Sequence, residues 1–200
     1  AGNDTLRVEG GSIVGDTQAG AGTDGLTIAG DFSYSNNFLA FETGQIVSGK
    51  VFLNGTGNTI DSLVVSGGTL GGNGTFTSSS GFRIASGGTL APGNSIGTIT
   101  VNGNVTFDSG SVFQVEVQGS PNAGSDLLQV TGGGNTATIS SGATISPILL
   151  DGFFKTGDQF VVLTTQNAAG VVGKFGAVAR SSAVIGVSTP SLRPRGMRDR

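Results

Sequence analysis

Apolar residues fall in short runs of Val, Ile, Leu, Phe and Thr, each closed by Gly, Asn, Asp or Ser. Runs of that length and composition read as strands bounded by turns. The first are Leu6-Arg7-Val8, Leu26-Thr27-Ile28, Phe38-Leu39-Ala40-Phe41, Gln45-Ile46-Val47, Val51-Phe52-Leu53 and Leu63-Val64-Val65, with turns at Gly20 to Gly25 and Asn54-Gly55. Val112-Phe113-Gln114-Val115-Glu116-Val117 alternates strictly, and Leu127-Leu128-Gln129-Val130 and Ala137-Thr138-Ile139 follow it. The richest apolar segment is Ile148 to Val187, with Phe153, Phe154, Phe160, Val161, Val162, Leu163, Val171, Val172 and Phe175. Nowhere does an apolar stripe at helical spacing persist for the length of an ordinary helix. The chain is read as all-β.

The strands repeat. Ser66-Gly67-Gly68-Thr69-Leu70 returns letter for letter as Ser86-Gly87-Gly88-Thr89-Leu90, 20 residues on. A glycine followed three residues later by a large apolar residue recurs at Gly10, Gly30, Gly49, Gly67, Gly87, Gly110 and Gly142, in steps of 20, 19, 18, 20, 23 and 32. The residues three further on are Ile13, Ser33 with Phe32 beside it, Phe52, Leu70, Leu90, Phe113 and Ile145. A period near 20 marks a solenoid, whose units bury their apolar faces only against neighbouring units. Ile13, Phe52, Leu70, Leu90, Phe113 and Ile145 are assigned to an internal ladder, and the glycines to corners that need positive φ. Residues 1–118 then form the coils. The loop Gly119 to Ser125 widens one of them, residues 119–189 form the last turns and an atypical C-terminal cap led by Phe160, Val162 and Phe175, and 190–200 read as a disordered tail or an expression remnant.

Composition adds two constraints. The 37 glycines are spread throughout, and each costs a helix interior about 1 kcal/mol relative to Ala. Ten basic residues face thirteen acidic ones, a net of −3; without Arg193, Arg195, Arg198, Asp199 and Arg200 the body has six against twelve, net −6. That body offers no electrostatic footprint for nucleic acid. With no cysteine and no histidine, a disulfide, a zinc cluster and a thiol or Ser-His nucleophile are all excluded.

The run from Ser86 to Phe107, which reads Ser-Gly-Gly-Thr-Leu-Ala-Pro-Gly-Asn-Ser-Ile-Gly-Thr-Ile-Thr-Val-Asn-Gly-Asn-Val-Thr-Phe, resembles the passenger-associated transport repeat of bacterial autotransporters. Val112 to Val117, Ser125 to Gly132, Thr156 to Leu163 and Gly173-Lys174-Phe175 resemble, in order, the C-terminal end of such passengers. The resemblance covers roughly residues 63 to 180; residues 1–62 share only its style. It implies a right-handed parallel β-helix of the type V secretion system, exported through the periplasm to the cell surface or released there. The implied partners are its own C-terminal outer-membrane β-barrel and host-cell, matrix or self-associating surfaces, with an autochaperone role for the last turns. No barrel-like strand series follows Ser188, so a passenger fragment is expected, the stalk of an adhesin. The alternatives are the stalk of a secreted protease or toxin with its catalytic domain upstream, and a carbohydrate-processing β-helix.

Candidate chemistry is thin. Gly93-Asn94-Ser95-Ile96-Gly97 matches a nucleophile elbow, but no histidine exists to take the serine's proton and nothing in the spacing of Lys50, Lys155 or Lys174 nominates a substitute. Gly20-Ala21-Gly22-Thr23-Asp24-Gly25 matches a phosphate loop with no helix after it. Asp4, Asp16, Asp24, Asp31, Asp61, Asp108, Asp126, Asp151 and Asp158 mostly sit beside turn residues, where aspartate bonds its own backbone, and only Asp4 and Asp24 stand one period apart. Gly2-Asn3-Asp4-Thr5-Leu6 resembles a single calcium nonapeptide, and Thr98/Thr100 and Thr136/Thr138 lack the register of an ice-binding face. The expectation is a non-enzymatic chain with no metal or cofactor. Far-ultraviolet circular dichroism should show strand and almost no helix; a helix content above about a fifth would remove the solenoid.

Overall fold

A computed structural model describes residues 2–177 and the strand Val184–Ser188. The basic tail, 190–200, lies outside the described residues. What is described is a parallel β-helix with three faces and no helical element.

The first face stacks Thr5–Val8, Gly25–Ala29, Phe41–Ser48, Asn58–Val65, Gly81–Ile84, Val105–Phe107, Ala137–Ile139 and Val171–Gly173, all parallel. The second stacks Phe32–Tyr34, Lys50–Leu53, Thr69–Gly72, Thr89–Pro92, Val112–Gln118, Thr144–Leu149 and Gly176–Ala177. The third runs from the start of Asn58–Val65 through Thr75–Thr77, Thr98–Asn102, Leu127–Thr131 and Gln159–Thr165 to Val184–Ser188. Asn58–Val65 rounds a corner without a break, pairing at its start with Thr75–Thr77 and at its end with Gly81–Ile84.

Alternation along each strand sends one set of side chains into the coil, where identical positions stack. On the first face the column is Val8, Ile28, Ile46, Val65, Ile84, Phe107 and Ile139; on the third it is Ile99, Leu128 and Leu163. On the second face it is Phe32, Val51, Leu70, Leu90, Phe113 and Ile145. Leu70, Leu90, Phe113 and Ile145 therefore share one column, but Phe52 does not: Val51 occupies that rung and Phe52 pairs outward with Ser33 and Gly71. Ile13 is outside every strand and packs, half-buried, against the first coils.

The slip comes from where the glycine sits in its corner: Lys50 pairs with Thr69, so Gly49 holds the place of Gly68 rather than of Gly67, and the third residue after it is one too far. Between the inward residues of the first and second faces lie three residues after Ile28, four after Ile46 and Val65, and five after Ile84, Phe107 and Ile139. Counting three from a glycine assumes a constant corner. The same change separates the two identical repeats. In the later corners Gly87, Gly110 and Gly142 take positive φ, between 81° and 91°, whereas in the first copy Gly67 does not and Gly68 does, at 66°. A Cβ on Gly68 would stand 2.4 Å from the carbonyl oxygen of Gly49 in the preceding coil, so neither conformation nor space admits another residue there. Gly10, Gly30 and Gly49 also have positive φ.

The C-terminal segment prolongs the coil on all three faces. Phe160, Val162 and Leu163 are buried, the last two as adjacent residues because the register shifts between Val161 and Thr164. Phe175 sets its ring against Phe107 of the first-face column and Phe113 of the second-face column, at centroid distances of 4.9 and 5.5 Å. Phe153 and Val161, counted by composition with this apolar set, point outward.

Leu90→Ala should cost about 2–5 kcal/mol of unfolding free energy in a urea titration, and Phe52→Ala about 1 kcal/mol or less. Equal losses would mean that Phe52, not Val51, belongs to the column.

Candidate functional site

Corners of stacked β-coils bond locally only in part, as Gly88 N does to the Ala85 carbonyl and Ser111 N to that of Asp108, so the other corner N–H groups need acceptors from elsewhere. Here Asn and Asp side chains of an adjacent coil supply them. Asn3 Oδ1 accepts from Thr23 N, Asp16 Oδ1 from Asn37 N, Asp31 Oδ1 from Lys50 N, Asn37 Oδ1 from Gly57 N, Asn54 Oδ1 from Asn73 N, Asn73 Oδ1 from Thr98 N and Asn104 Oδ1 from Thr136 N, at 2.7–3.0 Å. These bonds reach the next coil, 19 to 32 residues away, and Asp16 and Asp31, expected like the other aspartates to bond their own turns, are among them. Asn58, buried, takes Phe38 N and donates to the carbonyls of Gly55 and Thr75.

The acids also align more than their spacing indicated. Asp4, Asp24, Glu42 and Asp61 each immediately precede a residue of one register column, Thr5, Gly25, Thr43 and Ser62, so four carboxylates share a corner, correcting the expectation that only Asp4 and Asp24 coincide. Asp24 is fully buried; its Oδ1 accepts from Asp4 N at 2.6 Å, its own N donates to Glu42 Oε2, and its Oδ2 has no partner. Asp24 and Glu42 cap backbone amides and Asp61 accepts from the Ser79 hydroxyl, and among the described residues no three acidic side chains could hold one ion.

Convergence occurs instead on the outside of the second face. A groove of about 300 Å³ is lined there by Lys50, Phe52, Ala91, Pro92, Gln114, Glu116 and Ile148, and walled by the Gly93 to Ser95 corner. Its shape depends on Asp126. This carboxylate, almost wholly buried, accepts from Gly97 N at 2.9 Å and Glu116 N at 2.7 Å, while its own N donates to the Glu116 carbonyl. One side chain thus ties the 93–97 corner to the strand Val112–Gln118, just where that strand turns back through an antiparallel pairing with Gly124–Ser125. Burial pushes the Asp126 carboxyl up to about 6; its two backbone donors oppose this and the Glu116 carboxylate adds to it.

Ser95 is exposed on the wall of the groove that also holds Lys50, a proximity that sequence spacing did not nominate, yet no hydrogen bond joins them among the described residues. The Gly20 to Gly25 loop is a corner whose Thr23 and Asp24 amides already have acceptors in Asn3 and Glu42. Thr100 pairs with Thr75 and Gln129, and Thr98 with Leu127, so no threonine array spans the third face. Gln114 and Glu116 were read only as the polar half of an alternating strand. Asp126 carried no periodic signal, lying 29 residues from Gly97 and 10 from Glu116.

With its folded-state pKa above the ~3.9 of a solvated aspartate, Asp126 makes the folded chain bind more protons than the unfolded one between those values. Its contribution is full below the lower value and is lost as pH rises through about 6. Urea unfolding across this window should show stability falling with pH more steeply than in Asp126→Asn; parallel profiles would mean that Asp126 titrates as a solvated acid. In comparisons with protein-family models, with curated proteins and with solved structures, nothing matches this chain.

Proposed function

We propose that this chain is the β-helical stalk and C-terminal folding segment of a surface-exposed autotransporter passenger whose larger role is adhesion. The observation that carries the reading is the unbroken stacking of coils up to the C-terminal segment. The eight first-face strands, about 4.8 Å apart, make a rod section about 34 Å long. The sequence resemblance around Ser86 to Phe107 supplies the family.

Physical considerations support a folding role for the last coils. A coil of this kind cannot satisfy its amides or cover its apolar columns until a neighbour is in place, so a chain delivered end first stays unfolded until one coil stands as a template. Phe160, Val162, Leu163 and the Phe175 ring against Phe107 and Phe113 give the C-terminal coils the apolar mass to be that template. An extended chain without disulfides suits passage through a narrow pore. Adhesion itself rests on the resemblance.

Refolding followed by far-ultraviolet circular dichroism tests the template. Phe160→Ala should slow refolding of the whole chain, while Phe38→Ala, an equally drastic truncation costing about 3–5 kcal/mol, should mainly speed unfolding. If Phe38→Ala slows refolding as much as Phe160→Ala, the C-terminal coils are no nucleus.

A further inference from the structure

The groove on the second face has a composition that the stalk reading does not need. Its floor is the outer side of a sheet whose strands are already paired on both flanks, Lys50–Leu53 with Phe32–Tyr34 and Thr69–Gly72, and Thr89–Pro92 with Thr69–Gly72 and Val112–Gln118. No backbone edge is free there, so an extended peptide cannot add as a strand. Whatever binds does so through side chains.

Those side chains form a sequence along the fibre axis. Phe52, half-buried, lies against Gly71: a Cβ there would stand 3.0 Å from its Cδ1 and Cε1 atoms, so the missing side chain lets the ring settle on the sheet. Beyond it come Ala91 and then the Gln114 amide in the same outward column, with Lys50 at one side and Glu116 at the other. From the rung of Phe52 to that of Gln114 is three strand spacings, about 14 Å. One carboxylate oxygen of Glu116 is buried with no hydrogen-bond partner in the protein. A buried acceptor without a donor marks a place where a hydroxyl or a water completes the structure.

The charges select among ligands. Lys50 is the one cation among the described residues that line the groove, which also holds the carboxylates of Glu116 and Asp126. A phosphate or sulfate ester would meet that pair of acids without the arginine or lysine cluster such groups require. A flat apolar ring beside an amide, an ammonium and an orphaned carboxylate oxygen instead matches a molecule with both an apolar face and several hydroxyls. We propose that the groove between Phe52 and Glu116 is a binding site for a neutral oligosaccharide, one sugar ring resting on Phe52 and a hydroxyl donating to Glu116. The proposal stands on the groove alone and is independent of the export and folding role.

The test is calorimetric titration of the whole chain at millimolar cellohexaose, maltohexaose and chitohexaose, with a heparin hexasaccharide as the anionic arm. At least one neutral hexasaccharide should bind, and Phe52→Ala and Glu116→Gln should each weaken it about tenfold or more. Both side chains face outward, and an unchanged circular dichroism spectrum with a cooperative urea transition beginning well above the titration buffer would separate lost binding from lost folding. Tighter binding of the heparin fragment overturns the proposal. So does a lack of binding by all three neutral sugars, or binding unaffected by both variants in folded protein.

Discussion

Every coil depends on its neighbours for hydrogen bonds it cannot make itself. Strand residues find partners through parallel ladders, and corner residues find them through Asn and Asp side chains reaching across to the adjacent coil, as Asn37 does for Gly57 and Asn54 for Asn73. A helix can close its amides within a few residues; here the nearest partner is typically some 20 residues away. Stability is therefore a property of stacked pairs of coils rather than of single ones. Glycine-rich corners, buried Asn58 and the apolar columns are separate answers to that one constraint.

Much of this was legible because the constraint leaves a period in the sequence. Leu70, Leu90, Phe113 and Ile145 fall in one column because each follows a corner closely enough for counting from glycine to work. Phe52 escaped because its corner, equal in length to the one before Leu70, carries its glycine one place later, Gly49 aligning with Gly68, and a slip of one exchanges inside for outside. Gly67 was mistaken for Gly68 because the identical letters of the two repeats meet corners of different length. The caps were legible as turn residues but not as bonds between coils, since nothing in an isolated Asn-Gly says which amide its side chain will reach. The groove was not legible at all. It takes one or two side chains from each of several coils, and Asp126, which fixes its wall, lies beyond an excursion that breaks the period.

Asp126 and Asp24 show how differently two buried aspartates can be used. Asp126 spends both oxygens on backbone donors from two separate segments, at the root of the widened loop. Asp24 uses one oxygen on the neighbouring Asp4 amide and leaves the other without a partner inside an acidic corner. The first fixes a surface shape; the second closes a turn near the start of the coil.

The paired glycines of the repeat carry a consequence for how such a rod changes over time. With Gly67-Gly68 the positive φ falls on the second glycine, and with Gly87-Gly88 on the first, yet Leu70 and Leu90 still stack. One five-residue cassette can thus be copied into corners of either length, the slack being absorbed between two adjacent glycines. A one-residue insertion or deletion at that corner leaves the columns on both sides in register, so the rod can be lengthened by duplication and then drift without having to be repacked.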